Sequence, residues 1–421
     1  MNSTNSIITD NVNFYGNTNP AELIKEFGSP LYVYNENIIR ERAREMKNLS
    51  AYKNFRVNYS AKANSNIALL QIVNDEGLDA EAMSPGEITA EFMAGFKPEN
   101  MLCISNNISA CEMKFIADNG ITISVDSLSQ LELFGKTIPG GRVAVRFNTG
   151  VGAGHHEKVV TGGSETKFGV NPELVPEVKA IVDKYKLKLV GINHHIGSLF
   201  MDPAPYLEGA VNLFDVAMSF QNLEFVDLGG GFGVPYNKQK GEARLDLKLL
   251  GTKLDELIFE FIKRYGSEIV IKVEPGRYIS AECGALLGKV RSVKYNGPAK
   301  YVGTDVGMSV LLRPAMYDSH HDIEVYSENA DNSNEHEEVT VVGNICETGD
   351  IIAKKILLPE ISEGDILGIL DAGAYGFVMS SNYNHRLRPA EVMIRKDGRP
   401  VLVRERDTVE DLLKPYKTIT I

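Results

Sequence analysis

One lysine, Lys62 in "VNYSAKANSN" (57–66), stands where an apolar run gives way to small polar residues and then to the helical pattern "SNIALLQIVND". The local sequence offers it no acidic neighbour, the ordinary setting of a solvated surface charge. Its place at the exit of a β-rich run allows another use: a partly desolvated amine has a lowered pKa and attacks carbonyl carbon. Similar exits recur along the chain. Ser84 follows "LDAEAM", and Arg146 and Asn148 end "RVAVRFN". Further on come "NHHIGS" (193–198), "DLGGGFG" (227–233) and "EPGR" (274–277). The glycine run is a candidate anion cradle, because glycine lets backbone N–H groups approach a phosphate closely. Glu274 is a candidate partner for a ring nitrogen, although a barrel carboxylate paired with arginine is the plainer reading of it alone.

The elements that must carry these residues form a regular series. Strands are expected at 55–61, 78–83, 101–105, 121–126, 142–148, 189–196, 224–229 and 268–274, with helices such as 203–220 and 251–266 between them. Eight βα alternations over roughly 220–250 residues are the pattern of a TIM-type (β/α)8 barrel, with a doubly wound sheet as the alternative. After Arg277 the pattern becomes strand-rich. "GALLGKVRSVKYN", "EVTVVGNIC", "GDILGILDAG" and "AEVMIRKDGRPVLVRE" read as β, and "KDGR" as a hairpin turn. We expect a barrel over 36–281 and an antiparallel β-domain over 282–421, to which 1–35 contributes. The acidic stretch "SENADNSNEHEE" (327–338) reads as a solvated loop in that domain.

Composition narrows the classes. The chain has 421 residues, 43% hydrophobic and 24% charged, as for a soluble globular protein. A net charge of −12 argues against nucleic acid as a partner. No apolar run approaches the ~20 residues of a membrane span. Four scattered cysteines without a CxxC pair favour reduced thiols and a cytoplasmic protein.

In such a barrel the chemistry gathers at the C-terminal ends of the strands, with anion sites in the loops after strands 7 and 8. A lysine and a phosphate cradle on one rim suit pyridoxal 5'-phosphate, which carries both an aldehyde and a phosphate. His195, on strand 6, is placed to stack on its ring, and Glu274 to keep the ring nitrogen protonated. A protonated pyridine is an electron sink for a carbanion.

The chain resembles the fold-type III pyridoxal-phosphate decarboxylases, the diaminopimelate decarboxylases most closely, over nearly its whole length. The matching motifs are "YSAKANSN", "MSPGEI", "HHIGS", "DLGGGFG", "EPGR", "LLRPAMY", "CETGD" and "GAYG". The resemblance implies an alanine racemase-like pairing of barrel and β-domain. It implies that Lys62 forms the Schiff base and that His195 stacks on the cofactor. Ser198, Gly231 and Tyr375 would contact the phosphate, with Gly276 and Arg277 alongside, and Glu274 would meet the ring nitrogen. It also implies a head-to-tail homodimer with shared active sites, "CETGD" reaching into the partner's.

The implied reaction is decarboxylation of meso-2,6-diaminopimelate to L-lysine. That substrate has an amino-acid group at its far end, which needs cations for a carboxylate and an anion for an ammonium. The family pattern supplies them at Arg277, Arg313, Tyr317 and Glu347, with Tyr375 nearby. Cys346 or Lys62 is the candidate proton donor to Cα, and a buried structural thiol is the commoner role of a cysteine. The chain departs from the pattern at Ser309 and Val310, where the family usually has Asn-Asp, and at Thr348, where Ser is common. It keeps Lys-Phe-Gly at 167–169, the end of the family's mobile segment (152–169).

Other readings stay open here. Ornithine, lysine, arginine, or a siderophore or antibiotic precursor are alternative substrates, and a relative without catalysis is a further one. A metal-dependent hydrolase is suggested by the histidines at 155, 156, 194, 195, 320 and 321. Adjacent histidines on a strand face opposite ways, however, and no HxH or HExxH spacing occurs. An amino-acid racemase typically sets arginine, not glutamate, against the ring nitrogen.

Overall fold

The computed structural model describes residues 7–152, 166–327 and 336–419. By internal packing the chain divides into two compact units. One comprises residues up to Ile39, Pro235–Ala243 and the chain from Ser280 onward; the other comprises Arg40–Val234 and Arg244–Ile279.

The first strand, β1 (Leu31–Asn35), belongs to the former unit. The latter is a closed barrel of eight parallel strands: β2 (Phe55–Ser60), β3 (Asp79–Ala82), β4 (Met101–Ile104), β5 (Thr122–Val125), β6 (Arg142–Arg146), β7 (Lys188–Asn193), β8 (Phe225–Asp227) and β9 (Val270–Val273). All eight expected strands are present. The largest difference is at β7, which stops at Asn193 rather than 196, so His195 sits in the loop beyond the strand. Helices fill the crossovers, among them Ile67–Asp75, Ala204–Ala217 and Leu247–Tyr265. Side-chain caps set the starts of the first and last of these: Asn66 accepts from Ala68 N–H at 3.0 Å, and Asp246 from Leu249 N–H at 2.9 Å. Ser84 proves to be such a cap, accepting from Glu87 N–H at the head of the helix Pro85–Met93.

Register decides what meets at the barrel rim. Ser60 pairs with Glu81 across β2 and β3, Val57 with Val273 across β2 and β9, and Asp227 with Lys272 across β8 and β9. Side chains alternate along a strand, so Asp79 and Glu81, and likewise Lys272 and Glu274, fall on common faces. A dry cluster of Leu102, Ile104, Ala144, Val190 and Phe225 forms part of the core.

The other unit is a mixed, mostly antiparallel sheet. Its strands are β1 with β10 (Gly284–Asn296), β11 (Ala299–Thr304), β12 (Ile323–Tyr326), β13 (His336–Val342), β14 (Ile351–Pro359), β15 (Ile366–Ile369), β16 (Ala390–Ile394) and β17 (Pro400–Arg404). The order β14-β13-β11-β10-β1-β16-β17 includes two parallel pairings, β1 with β16 and β11 with β13. β16 and β17 form the hairpin that "KDGR" implies. Of the expected loop at 327–338, residues 328–335 lie outside the described residues, and 336–338 are strand, paired with β14.

On the helix Pro85–Met93, Glu91 is fully buried, and neither of its carboxyl oxygens has a hydrogen-bond partner among the described residues. Burial, reinforced by Glu81 and Glu87, pushes its pKa up to about 9. The folded chain therefore keeps this proton, while the unfolded chain releases it near the ordinary carboxylate pKa. Between those two values the native state binds more protons, so rising pH removes stability, by up to about 1.4 kcal/mol per pH unit. Glu91→Gln keeps the shape and removes the ionisation. Thermal unfolding measured from about pH 5 to pH 9 should fall less steeply for this variant than for the parent. Parallel curves would show that Glu91 is not held as the neutral acid.

Candidate active site

Lys62 lies in a single 3-10 turn, Ala61–Ala63, directly after β2. Its ammonium donates to both carboxylate oxygens of Glu81, at 3.0 and 3.2 Å, with Met83 Sδ at 4.0 Å. Glu81 is buried on β3, whereas the lysine side chain is about one-third exposed (32%). To the partly desolvated amine expected from the sequence the fold adds a charged partner that the local sequence does not show. An ion pair with a buried carboxylate governs Lys62, and its exposed end keeps the amine reachable.

Beyond β9, Glu274 is buried beside Asp227, the last residue of β8. Gly229 N–H donates to Asp227 Oδ1 at 2.9 Å. The two carboxyls share a hydrogen bond, and among the described residues no N–H reaches Asp227 Oδ2 or Glu274 Oε1. Burial first, then the charges of Asp227 and Glu81, raise the Glu274 pKa well above the carboxylate range. Glu274 is the member of the pair that keeps the proton. Arg146, at the end of β6, is also buried; its guanidinium lies 4.7 Å over the Phe168 ring, and its Nη2 has no partner among the described residues. Burial lowers its pKa, against the pull of Glu274, Asp126 and Glu81.

The loops after β7, β8 and β9 interlock. Gly230 N–H donates to His195 Nδ1 at 3.1 Å, so that nitrogen is an acceptor. Dense packing, Arg146 and Lys62 hold His195 well below the ordinary histidine pKa, and the imidazole is neutral. Its neighbour His194 turns inward, with Nδ1 2.9 Å from Thr149 Oγ1 and its pKa lowered to about 3 by burial. A Cβ on Gly230 would lie 2.0 Å from Glu274 O, and one on Gly231, where φ is +104°, 2.3 Å from Gly197 O. Only glycine lets the β8 loop nest between its two neighbours. Gly276 also packs tightly on the Lys62 turn, its Cβ position 2.9 Å from Ala63 Cβ. Arg277 is buried and donates to Ser198 Oγ through Nη2 at 2.9 Å and Nε at 3.3 Å. The barrel therefore gathers Lys62, His195, Ser198, Gly231, Glu274, Gly276 and Arg277 on its C-terminal loops.

The remaining expected residues belong to the β unit. Arg313 opens the short helix Arg313–Tyr317 and is 1% exposed; Tyr317 is half-buried. Cys346 and Glu347 are exposed in the turn after β13. That turn is anchored by its last residue, Asp350, whose carboxylate accepts from Met308 N–H at 2.5 Å and Ile345 N–H at 2.7 Å. Ser309 and Val310 are both buried, and Val310 O accepts from Tyr32 at 2.5 Å. Tyr375 has φ +54°, in a loop whose Asp371 also has φ +55°. Asp371 is ion-paired with Lys238 at 2.5 Å, and burial raises its pKa to about 7. Two left-handed non-glycine residues in one short loop are a strain that packing must hold in place. Among the described residues no group of three His, Cys, Asp or Glu side chains is set to hold a metal ion. His155 and His156 lie outside the described residues.

Sequence reasoning missed Glu81 and gave no role to Asp227. The available signal was charge at alternate positions within a β run, Asp79-x-Glu81, which a barrel interior rarely tolerates without a partner. The residues present fit pyridoxal phosphate: an accessible amine, a neutral imidazole, and a buried carboxyl with an unfilled oxygen suited to a ring N–H. Glycine-lined loops sized for close backbone approach complete the match.

The comparisons agree. The model of the pyridoxal-dependent decarboxylase pyridoxal-binding domain matches residues 36–281. A diaminopimelate decarboxylase of Methanothermobacter thermautotrophicus is 42% identical over 95% of this chain and 94% of its own. A crystal structure of diaminopimelate decarboxylase superposes with a TM-score of 0.89 at 32% identity, covering 99% of both chains. The Helicobacter pylori diaminopimelate decarboxylase complexed with L-lysine gives 0.86 at 30% identity, over 94% of this chain and 99% of that one. With its barrel, its rim chemistry and these relatives in accord, the chain belongs to the pyridoxal-dependent decarboxylases, within the diaminopimelate decarboxylase family.

Proposed function

We propose that the protein removes carbon dioxide from meso-2,6-diaminopimelate to give L-lysine, with pyridoxal phosphate as cofactor. The observation that carries this reading is the barrel rim, where a reachable Lys62 amine stands over buried Glu81, with Glu274 held as a proton-bearing carboxyl nearby. When bound, pyridoxal phosphate supplies an aldehyde for an amine and a ring that takes up the electron pair left by departing carbon dioxide. Lys62, with its amine reachable on the rim, would hold the cofactor through that aldehyde. Glu274 would keep the ring nitrogen protonated, using the Oε1 that no N–H reaches among the described residues. His195, being neutral, covers the ring face without adding charge. Ser198, Gly231, Gly276, Arg277 and Tyr375 would hold the phosphate. Arg277, Arg313, Tyr317, Tyr375 and Glu347 grip the distal amino-acid group, so that binding energy remote from the reacting carbon orients it. Cys346 returns a proton to Cα, with Lys62 as the alternative donor.

Cys346 and Glu347 are exposed on a turn that Asp350 fixes from within, which supports their use by a second copy in a homodimer with shared sites. The free thiols of all four cysteines support a cytoplasmic setting. Among the described residues no helix is long and apolar enough to cross a membrane.

Carbon dioxide release by the cofactor-loaded protein should be seen with meso-diaminopimelate and fall to background with L-lysine, L-ornithine or L-arginine. Lys62→Ala should lower it by roughly 10³-fold or more. Turnover of ornithine alone would contradict the distal-group assignment. Glu274→Gln should lower kcat by roughly 10²–10³ with KM little changed. An unchanged kcat would remove Glu274 from the chemistry.

A further inference from the structure

His320 and His321, two of the six histidines behind the metal-hydrolase alternative, have separate partners in the structure. His320 is exposed, with Nε2 2.9 Å from Asp322 Oδ1. His321 is buried, and its two ring nitrogens have different tasks: Nε2 lies 2.8 Å from Arg313 Nη1, and Nδ1 lies 2.7 Å from Leu370 O. A guanidinium only donates, so Nε2 is the acceptor, and a carbonyl only accepts, so Nδ1 carries the proton. One tautomer, neutral with N–H at Nδ1, satisfies both contacts. Leu370 is itself tied down, its N–H donating to Asp322 O at 2.9 Å just past the end of β15. A continuous chain of hydrogen bonds thus runs from the sheet backbone through the imidazole to the guanidinium. The Tyr236 ring closes the arrangement, 4.3 Å beneath the Arg313 guanidinium carbon and edge-to-face with His321 at 5.3 Å.

We infer that His321 and Tyr236 are positioning residues that fix the plane and rotation of the Arg313 guanidinium, and thereby determine selectivity for a ligand bearing a distal carboxylate. The inference rests on the proposed role of Arg313 in binding that group. Bidentate carboxylate recognition depends on the orientation of a planar fork, which a long arginine side chain does not hold unaided. The guanidinium N–H taken up by His321 Nε2 and the face set on the Tyr236 ring restrict the plane in which Arg313 can present its donors.

L-lysine and cadaverine separate this role from general stability. Both carry two amines, and only L-lysine carries a carboxylate. Equilibrium binding of each is measured on the pyridoxal phosphate-loaded protein, for the parent and for His321→Leu, His321→Gln, Tyr236→Leu and Arg313→Met. His321→Leu should weaken L-lysine roughly 10- to 100-fold, with cadaverine within about twofold. His321→Gln, whose side-chain carbonyl can replace Nε2 as acceptor, should recover most of the loss. Adding His321→Leu to Arg313→Met should weaken L-lysine no further. If Arg313→Met lowers the L-lysine preference and His321→Leu does not, the positioning role is overturned while the reading of Arg313 stands. If Arg313→Met leaves the preference intact, the distal-carboxylate reading fails and this inference with it. Should His321→Leu not fold, Tyr236→Leu carries the same prediction, and an unchanged preference there overturns it.

Discussion

Burial of charge inside the barrel is the constraint on which the rest of the site depends. Glu81, Asp227 and Glu274 are taken out of water within one barrel, together with the cation Arg146 and the half-buried Lys272. An uncompensated buried charge costs several kcal/mol, so each group must find a partner or give up its charge. Glu81 takes Lys62, and Asp227 takes the Gly229 N–H. Glu274, left with Asp227 as its neighbour, keeps its proton. The lysine is therefore held on the rim by the same carboxylate that needs it. One carboxyl is left with an oxygen that no N–H reaches among the described residues.

The loops follow from that arrangement. For Asp227 and Glu274 to lie side by side, the backbones after β8 and β9 must approach so closely that a methyl group on Gly230 would overlap Glu274 O. The same glycine run brings its N–H to His195 and leaves the imidazole neutral beside two cations. Arg277 and Ser198, from the loops after β9 and β7, join by hydrogen bonds on that rim. In the β unit the corresponding economy is seen at Arg313, which is buried yet oriented by His321 and Tyr236.

Most of the barrel was legible because several of its strands, such as β4 and β5, are short apolar-rich runs bounded by glycine, proline and polar clusters, which period and length distinguish from helices. The ends were less so. "HHI" extends the apolar pattern of β7, but the chain bends there so that His194 can turn inward and His195 can meet Gly230. "HEE" at 336–338 looks like loop and is strand, because β13 pairs on both sides and tolerates charge on its exposed positions. The parallel pairings of β1 with β16 and of β11 with β13 join segments far apart in the chain, which no local pattern encodes. Lys62, His195, Glu274 and Arg277 were found through motif and strand-end position. Glu81 was not, because its link to Lys62 exists only through the Ser60–Glu81 register. His321 was noticed for its residue type, but its task depends on an arginine eight residues away and on a carbonyl at the end of β15.

The central claim is that Lys62, poised over Glu81, is the group that takes the cofactor aldehyde. Borohydride reduction of the pyridoxal phosphate-loaded protein, followed by peptide mapping, tests it most directly. The account predicts one modified residue, Lys62, in the peptide that contains "YSAKANSN". Modification of another lysine, or none with the cofactor bound, would contradict it.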